Sequence, residues 1–373
     1  MDKMRHGAGV TASRESVPDP VLARYARWEG VGRGFTVATT TLADPPGPGE
    51  VLVRVDLATV CGSDLHTTGG HRPGPAPSVL GHEQVGTVVA VGPQAPACVD
   101  GTPPAVGDRV VWSVTASCGR CEECDRCAAA MPQKCRRLFK YGHEPLDPDR
   151  PLAGGFATHC LLRPGTALAR VPVEIPDEVA SPASCATATV AAALAAGPAA
   201  LQGRRVLVTG AGMLGLTAAA MAARAGAEVT VSDPGPARRE RATRFGASAT
   251  VEPGVDVGEV DLALEMSGSP AAVRACVDGL AVGGTAVLVG PVSPGPRVEV
   301  DPEALVRGLR TLTGVHNYRP ADLASAVDFL AAAHRDHPFA ELVGGRHRLD
   351  DLDGALAAAR AGGPPRRGVA PGA

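Results

Sequence analysis

The chain has 373 residues, enough for two or three separate cores at about 150 residues per domain. Its 36 Lys and Arg against 39 Asp and Glu give a net charge of −3, and no block of like charge occurs, which argues against a nucleic-acid groove or a patch for anionic membranes. With 45% apolar residues it is not disordered by low hydrophobicity, while 46 Gly and 34 Pro demand many sharply turned loops.

Residues 1–24 are polar and aperiodic and read as a flexible extension, with no apolar run of the kind a secretory leader carries. From 35 to 114, short β-rich runs at 34–38, 50–55, 85–91 and 108–112 alternate with Pro/Gly turns such as that at 44–49. This predicts an antiparallel barrel-like or sandwich unit. An insertion over 118–150 carries clustered cysteines and has no strand periodicity of its own. The longest apolar stretch, 186–201, contains two Thr, Gly197 and Pro198 and is too short and broken to span a bilayer.

From about 182 to 314 the pattern becomes βαβ, with strands at 205–209, 228–232, 260–264 and 285–289 and helices at 213–225 and near 271–280. Such alternation predicts an α/β region with a parallel, doubly wound sheet. Amphipathic helices at 320–333 and 350–361 read as a return to the first unit. No internal repeat is present.

The strand at 205–209 runs into Gly210-Ala-Gly212-Met213-Leu214-Gly215, a GxGxxG at a strand-to-helix turn. Gly210 permits the turn, Gly212 lets a pyrophosphate approach the backbone, and Gly215 allows the helix to pack on the strand. Asp233, at the end of the next strand, is placed to accept both ribose hydroxyls and to repel a 2′-phosphate, so NAD is expected over NADP. Arg238 and Arg239, just beyond, would reach a 2′-phosphate if the loop folded back.

Five of the 10 cysteines, Cys118, Cys121, Cys124, Cys127 and Cys135, fall within 18 residues. The preferred tetrahedral zinc set is Cys121, Cys124, Cys127 and Cys135; Cys118, Cys121, Cys124 and Cys135 form a second register. Four thiolates leave no open position, which makes this metal structural. Such thiolates require reduced cysteine, hence an intracellular, cytoplasmic protein. Cys61 and His82, with Cys185 far downstream, would make a three-ligand site with its fourth position open to substrate, although spacing alone does not bring Cys185 to the other two.

Taken together, Cys61-Gly-Ser63-Asp64-Leu-His66, Gly81-His82-Glu83, the cysteine lobe and the later GxGxxG resemble the zinc-dependent medium-chain alcohol dehydrogenases from about residue 30 onward. The resemblance implies a GroES-like catalytic domain over 25–185 with a structural-zinc lobe at 118–150, a Rossmann domain over 186–314, and a return to the catalytic domain over 315–373. It implies catalytic zinc on Cys61, His82 and Cys185, with Glu83 as an alternate ligand, Asp64 orienting His82, and Ser63 handing the substrate proton towards His66. It further implies reversible oxidation of an alcohol by NAD and a homodimer or homotetramer formed through the Rossmann sheet, with the strand at 285–290 at its edge.

Within the family, stretches at 132–143, 154–159 and 182–189 resemble a branch linked with phosphonate metabolism and cyclitol-type enzymes. Lys140, His143 and His159 would there supply a cationic subsite for phosphonate or phosphate. With few aromatic residues, the pocket suits a small polar, polyol, cyclitol or phosphonate-bearing substrate. The competing readings are a zinc-independent quinone or enoyl reductase of the same superfamily and a zinc-stabilised dinucleotide-sensing protein.

Overall fold

In the computed structural model, which describes residues 21–42, 44–119 and 124–373, strand β1 (Val21–Trp28) pairs antiparallel with β2 (Phe35–Leu42) along its whole length. Residues 21–24, expected within the extension, therefore belong to a strand, and residues 1–20 lie outside the described part. Strand β3 (Val51–Thr59) leads into helix α1 (Gly62–Thr68), and β4 (Ser78–Val79) adds to β1 to complete a three-stranded sheet.

The second sheet is built on β3, β5 (Gln84–Val91), β6 (Arg109–Ala116) and β7 (Phe139–Lys140), with helix α2 (Asp125–Ala128) in the insertion before β7. Strand β8 (His159–Leu162) pairs with the first half of β3, and β9 (Thr166–Arg170) pairs with β6. Because β3 changes register between Val55 and Leu57, its two halves serve different neighbours and the sheet curls. Trp112, Tyr141 and Phe156 are fully buried inside this curl.

Helix α3 (Asp177–Ala180) and a short 3-10 turn (Ser181–Ser184) lead into α4 (Ala186–Ala195). Then follow β10 (Arg205–Thr209), α5 (Met213–Arg224), β11 (Glu228–Ser232), α6 (Pro236–Thr243), β12 (Ala249–Val251), β13 (Val260–Glu265), α7 (Pro270–Asp278), β14 (Leu280–Leu288), α8 (Pro302–Arg307) and β15 (Thr311–Gly314). All pairs are parallel, in the order β12-β11-β10-β13-β14-β15. This is the doubly wound order whose crevice lies at the carboxyl end of β10. The edge strand is β15 rather than the strand expected at 285–290, because β14 pairs on both sides. Short and mostly exposed, β15 carries no apolar run to announce it.

Helix α9 (Pro320–Ala333) packs on α4 and β9; β16 (Val343–Arg348), α10 (Leu352–Arg360) and β17 (Arg366–Ala370) follow. Strand β17 pairs with the end of β3, Gly368 opposite Thr59, so the last strand lies beside Cys61.

Candidate active site and metal centres

Cys61 lies at the junction of β3 and α1, where its N–H donates to Asp64 Oδ2 at 2.8 Å and starts the helix. The other Asp64 oxygen is 3.5 Å from His82 Nδ1, a length short of a hydrogen bond but sufficient to orient the imidazole. His82 Nε2 consequently faces inward, 3.1 Å from Ser63 Oγ. Cys185 arrives from the junction of the 3-10 turn with α4, and Ser184 Oγ in that turn donates to the His82 carbonyl at 3.4 Å. The Cys61, His82 and Cys185 donor atoms lie within 4.8 Å of one another. Two sulfurs and one imidazole nitrogen converge, Cys61 and His82 buried and Cys185 half-buried, and match an open zinc site.

Glu83 is not part of this group. Its carboxylate accepts from Arg366 Nε at 2.6 Å and Nη2 at 2.7 Å, and from Thr59 Oγ1 at 2.8 Å. Expected as an alternate ligand, Glu83 here forms a buried fork with β17, and Arg366 Nη2 also reaches Cys61 Sγ at 3.5 Å. Sequence spacing carries no hint of Arg366, since only the β17–β3 pairing brings it here.

Electrostatics follow this layout. A hydrogen bond from Cys185, with the Arg366 charge alongside, holds the Cys61 thiol well below its usual range despite burial. Burial opposes charging of His82, yet Asp64 and Cys61 raise it to about 10. Burial pushes the Glu83 carboxyl up to about 7, against the pull of Arg366.

In the lobe, Cys118, Cys124, Cys127 and Cys135 have sulfurs within 4.8 Å of one another. Cys118 Sγ is 3.7 Å from Cys127 Sγ, and Cys124 Sγ is 4.0 Å from Cys135 Sγ. A tetrahedron of sulfurs about 2.3 Å from zinc has edges of roughly 3.8 Å, so the four fit a closed site. Of the described cysteines this group holds Cys124 and Cys135, common to both registers, together with Cys127 of the preferred one and Cys118 of the second. Cys121 lies outside the described residues. Backbone N–H groups of Cys118 and Arg137 donate to Cys135 Sγ at 3.3 and 3.4 Å, and that of Arg136 to Cys124 Sγ at 3.5 Å. The Arg136 N–H is the leading cause of a Cys124 thiol brought down to about 6.

The Gly-rich turn joins β10 to α5. Gly210 has φ +92°, and a Cβ on Gly215 would stand 1.7 Å from the Gly210 carbonyl oxygen, so neither position accepts a side chain without displacement. Asp233, at the end of β11 and 2% exposed, accepts from Ala211 N and Gly235 N, both at 2.8 Å. Arg239 is engaged by Glu252 and by the Asp233 and Pro234 carbonyls, while Arg238 Nη1 is 3.9 Å from Asp233 Oδ2. Gly210, Gly212, Asp233 and Arg238 line one cavity of about 720 Å³. Gly212, Met213 and Leu214 also line a second cleft, of about 290 Å³, together with Cys61, Ser63, His66, His82 and Cys185. Lys140 and His143 line that second cleft too, whereas His159 stands apart on β8.

Two family profiles match the chain: an alcohol dehydrogenase GroES-like domain over 47–173 and a zinc-binding dehydrogenase over 214–332. The L-threonine 3-dehydrogenase of Deinococcus deserti is 34% identical over 289 residues, 73% of this chain and 77% of that protein. An alcohol dehydrogenase from Thermotoga maritima superposes with a TM-score of 0.86 at 26% identity, covering 94% of this chain and all of that one. A zinc-binding dehydrogenase from Sinorhizobium meliloti, solved bound to NADP, gives 0.81 at 26% identity over 94% of this chain and all of its own.

Proposed function

Because the chain belongs to the zinc-dependent medium-chain alcohol dehydrogenases, oxidoreductases that use zinc and NAD(P), we propose that it reversibly oxidises a small polar alcohol to its carbonyl with NAD. The observation that carries this reading is the single cleft lined both by Cys61, His82 and Cys185 and by Gly212, Met213 and Leu214 at the start of α5. It puts a substrate oxygen and a dinucleotide within reach of one another.

Bound zinc would supply Lewis acidity at the open side of the three donors. Asp64, behind Nδ1, orients the imidazole so that Nε2 would be the ligand atom. Ser63 Oγ, beside Nε2, is placed to take the alcohol proton, and His66, one helical turn on and lining the same cleft, is placed to receive it next. Glu83 and Arg366 act as positioning residues behind Cys61. The amide end of α5 at Gly212, Met213 and Leu214 faces a pyrophosphate.

Asp233 supports NAD: its buried carboxylate keeps lone pairs for the ribose hydroxyls and opposes a 2′-phosphate. Arg239 is already spent on Glu252 and two carbonyls, leaving Arg238 as the one cation lining the adenosine pocket among the described residues. The reading includes a catalytic domain over 25–185 and 315–373, a dinucleotide domain over 186–314, a cytoplasmic setting that keeps the thiols reduced, and a homodimer or homotetramer. Among the described residues no helix is long and apolar enough to cross a membrane.

A coupled NAD/NADH assay over small polar alcohols, with zinc measured on the same sample, tests this. Turnover with about two zinc ions per chain is expected. Equal or higher kcat/KM with NADP would overturn the cofactor assignment. About one zinc, with the Cys61 site empty and no alcohol turned over, would point to the enoyl reductase or the sensor.

A further inference from the structure

Cys185 occupies a junction rather than an element. It stands where the 3-10 turn gives way to α4, with φ −123° and ψ −67°, outside helical values. The arm before it, Ser181–Ser184, is therefore what carries the sulfur to its place. On one side, Ser181 Oγ donates to the Glu83 carbonyl at 3.3 Å and Ser184 Oγ to the His82 carbonyl at 3.4 Å, which lays the arm along residues 82–83. The arm also meets Tyr318. This residue, 5% exposed, follows β15 on the link to α9, and its hydroxyl serves two backbone groups at once. It accepts from the Val114 N–H of β6 at 3.2 Å and donates to the Ser184 carbonyl, the oxygen of the peptide that leads into Cys185. Tyr318 also lines the cleft that holds Cys61, His82 and Cys185.

We propose that Tyr318 is a positioning residue for the metal centre: its hydroxyl, strung between β6 and the Ser184–Cys185 peptide, keeps the Cys185 sulfur in reach of Cys61 and His82. This rests on the reading of those three residues as a zinc site. Peptide geometry transmits the hold. The Ser184 oxygen shares a plane with the nitrogen and Cα of Cys185, so fixing the oxygen fixes the plane from which the Cys185 side chain departs. Ser184 is fully buried and Val114 is 3% exposed, so loss of the hydroxyl would strand a carbonyl and an N–H away from water and drive the arm to seek another partner. A tyrosine that served stability alone would leave the metal indifferent. Tyr141 is such a case: fully buried in the curl, its hydroxyl pairs with Thr166 Oγ1 and accepts from the Arg163 N–H, both at 2.7 Å. Tyr318 lies 134 residues along the chain from Ser184, so no spacing announces the contact.

The test follows zinc release from the zinc-loaded protein to a chromogenic chelator, 4-(2-pyridylazo)resorcinol, with Tyr318→Phe and Tyr141→Phe beside the unaltered chain. The unaltered protein should give up about two zinc ions in two phases, of which Cys61→Ser abolishes one and Cys124→Ser the other. Tyr318→Phe, which keeps the ring and removes the hydroxyl, should quicken the Cys61-site phase about 10-fold or more, the worth of one or two buried hydrogen bonds, and leave the lobe phase unchanged. Tyr141→Phe, which removes a comparable hydroxyl at a distance, should leave both phases within about 2-fold. With cobalt in place of zinc, the visible bands that follow ligand type and geometry should shift in Tyr318→Phe and stay in place in Tyr141→Phe. Neither readout needs an alcohol. Equal quickening in both variants, or unchanged release with an unchanged cobalt spectrum in Tyr318→Phe, would overturn the proposal and leave the zinc site intact. So would a Tyr318→Phe chain that fails to fold where Tyr141→Phe folds, since the hydroxyl would then serve the fold. An unaltered chain without zinc at Cys61 would overturn the zinc site itself, and the proposal with it.

Discussion

Cys118, Cys124, Cys127 and Cys135 come from one stretch of chain and are held by N–H groups of their own neighbours, whereas Cys61, His82 and Cys185 meet from three separate junctions of strand, turn and helix. Around the local group the charges are exposed: the Arg136–Asp125 pair has both side chains 61% exposed. Around the distant group they are buried, with Arg366 and Glu83 at 7% and 0%. The same sulfur chemistry thus serves two ends. A closed, local cluster substitutes for a hydrophobic core in a loop too short to have one. The distant cluster, assembled by the whole fold, brings three donors together beside a buried Arg366–Glu83 pair of fixed charge, as the proposed open site requires.

That contrast is open to breakage. The largest expected effect is on the distant group: Cys61→Ser or His82→Ala should lower kcat/KM by about 10³-fold or more, with the melting temperature moving by only a few degrees. Steady-state kinetics and thermal melts on one preparation check it, and unfolding of these variants would mean that the open site is structural. Next is Cys124→Ser, which should remove about one zinc per chain and lower the melting temperature and solubility, while the protein still folded keeps turning over. Loss of catalysis at an unchanged melting temperature would reverse the two roles. The smallest effect belongs to Arg136→Ala, which breaks an exposed ion pair and should cost about 0.2–1 kcal/mol in denaturant titration. A cost beyond about 2 kcal/mol would show that surface charge, not sulfur ligation, holds the lobe.

Much of this was readable along the chain. Gly210, with its positive φ, and Gly215, whose Cβ would strike the Gly210 carbonyl, occupy positions that accept no side chain without displacement, so they announce themselves by residue type alone. Cys61 and His82 stand out only with their motif neighbours, Cys61-Gly-Ser63-Asp64 and Gly81-His82-Glu83, since alone each reads as a buried thiol or a hydrogen-bonded histidine. Spacing alone left two registers among five crowded cysteines, because equal intervals repeat, whereas the approach of Cys118 to Cys135 comes only from closure of the loop. The hydrogen-bonded short strand β15 and the start of β1 were missed for a similar reason: pairing with a neighbour, not an apolar pattern, makes them strands.

The sequence by itself determined the two layers of the fold, the dinucleotide turn and the residue types able to hold two metals, because periodicity, glycine geometry and ligand chemistry are local properties. Only the tertiary structure decided that Glu83 is bound to Arg366, that Cys185 reaches Cys61 and His82, and that Arg72, Lys140 and His316 line one cleft. Those outcomes depend on strand pairing and loop closure between residues far apart in the chain, and no spacing rule along one segment encodes such a meeting.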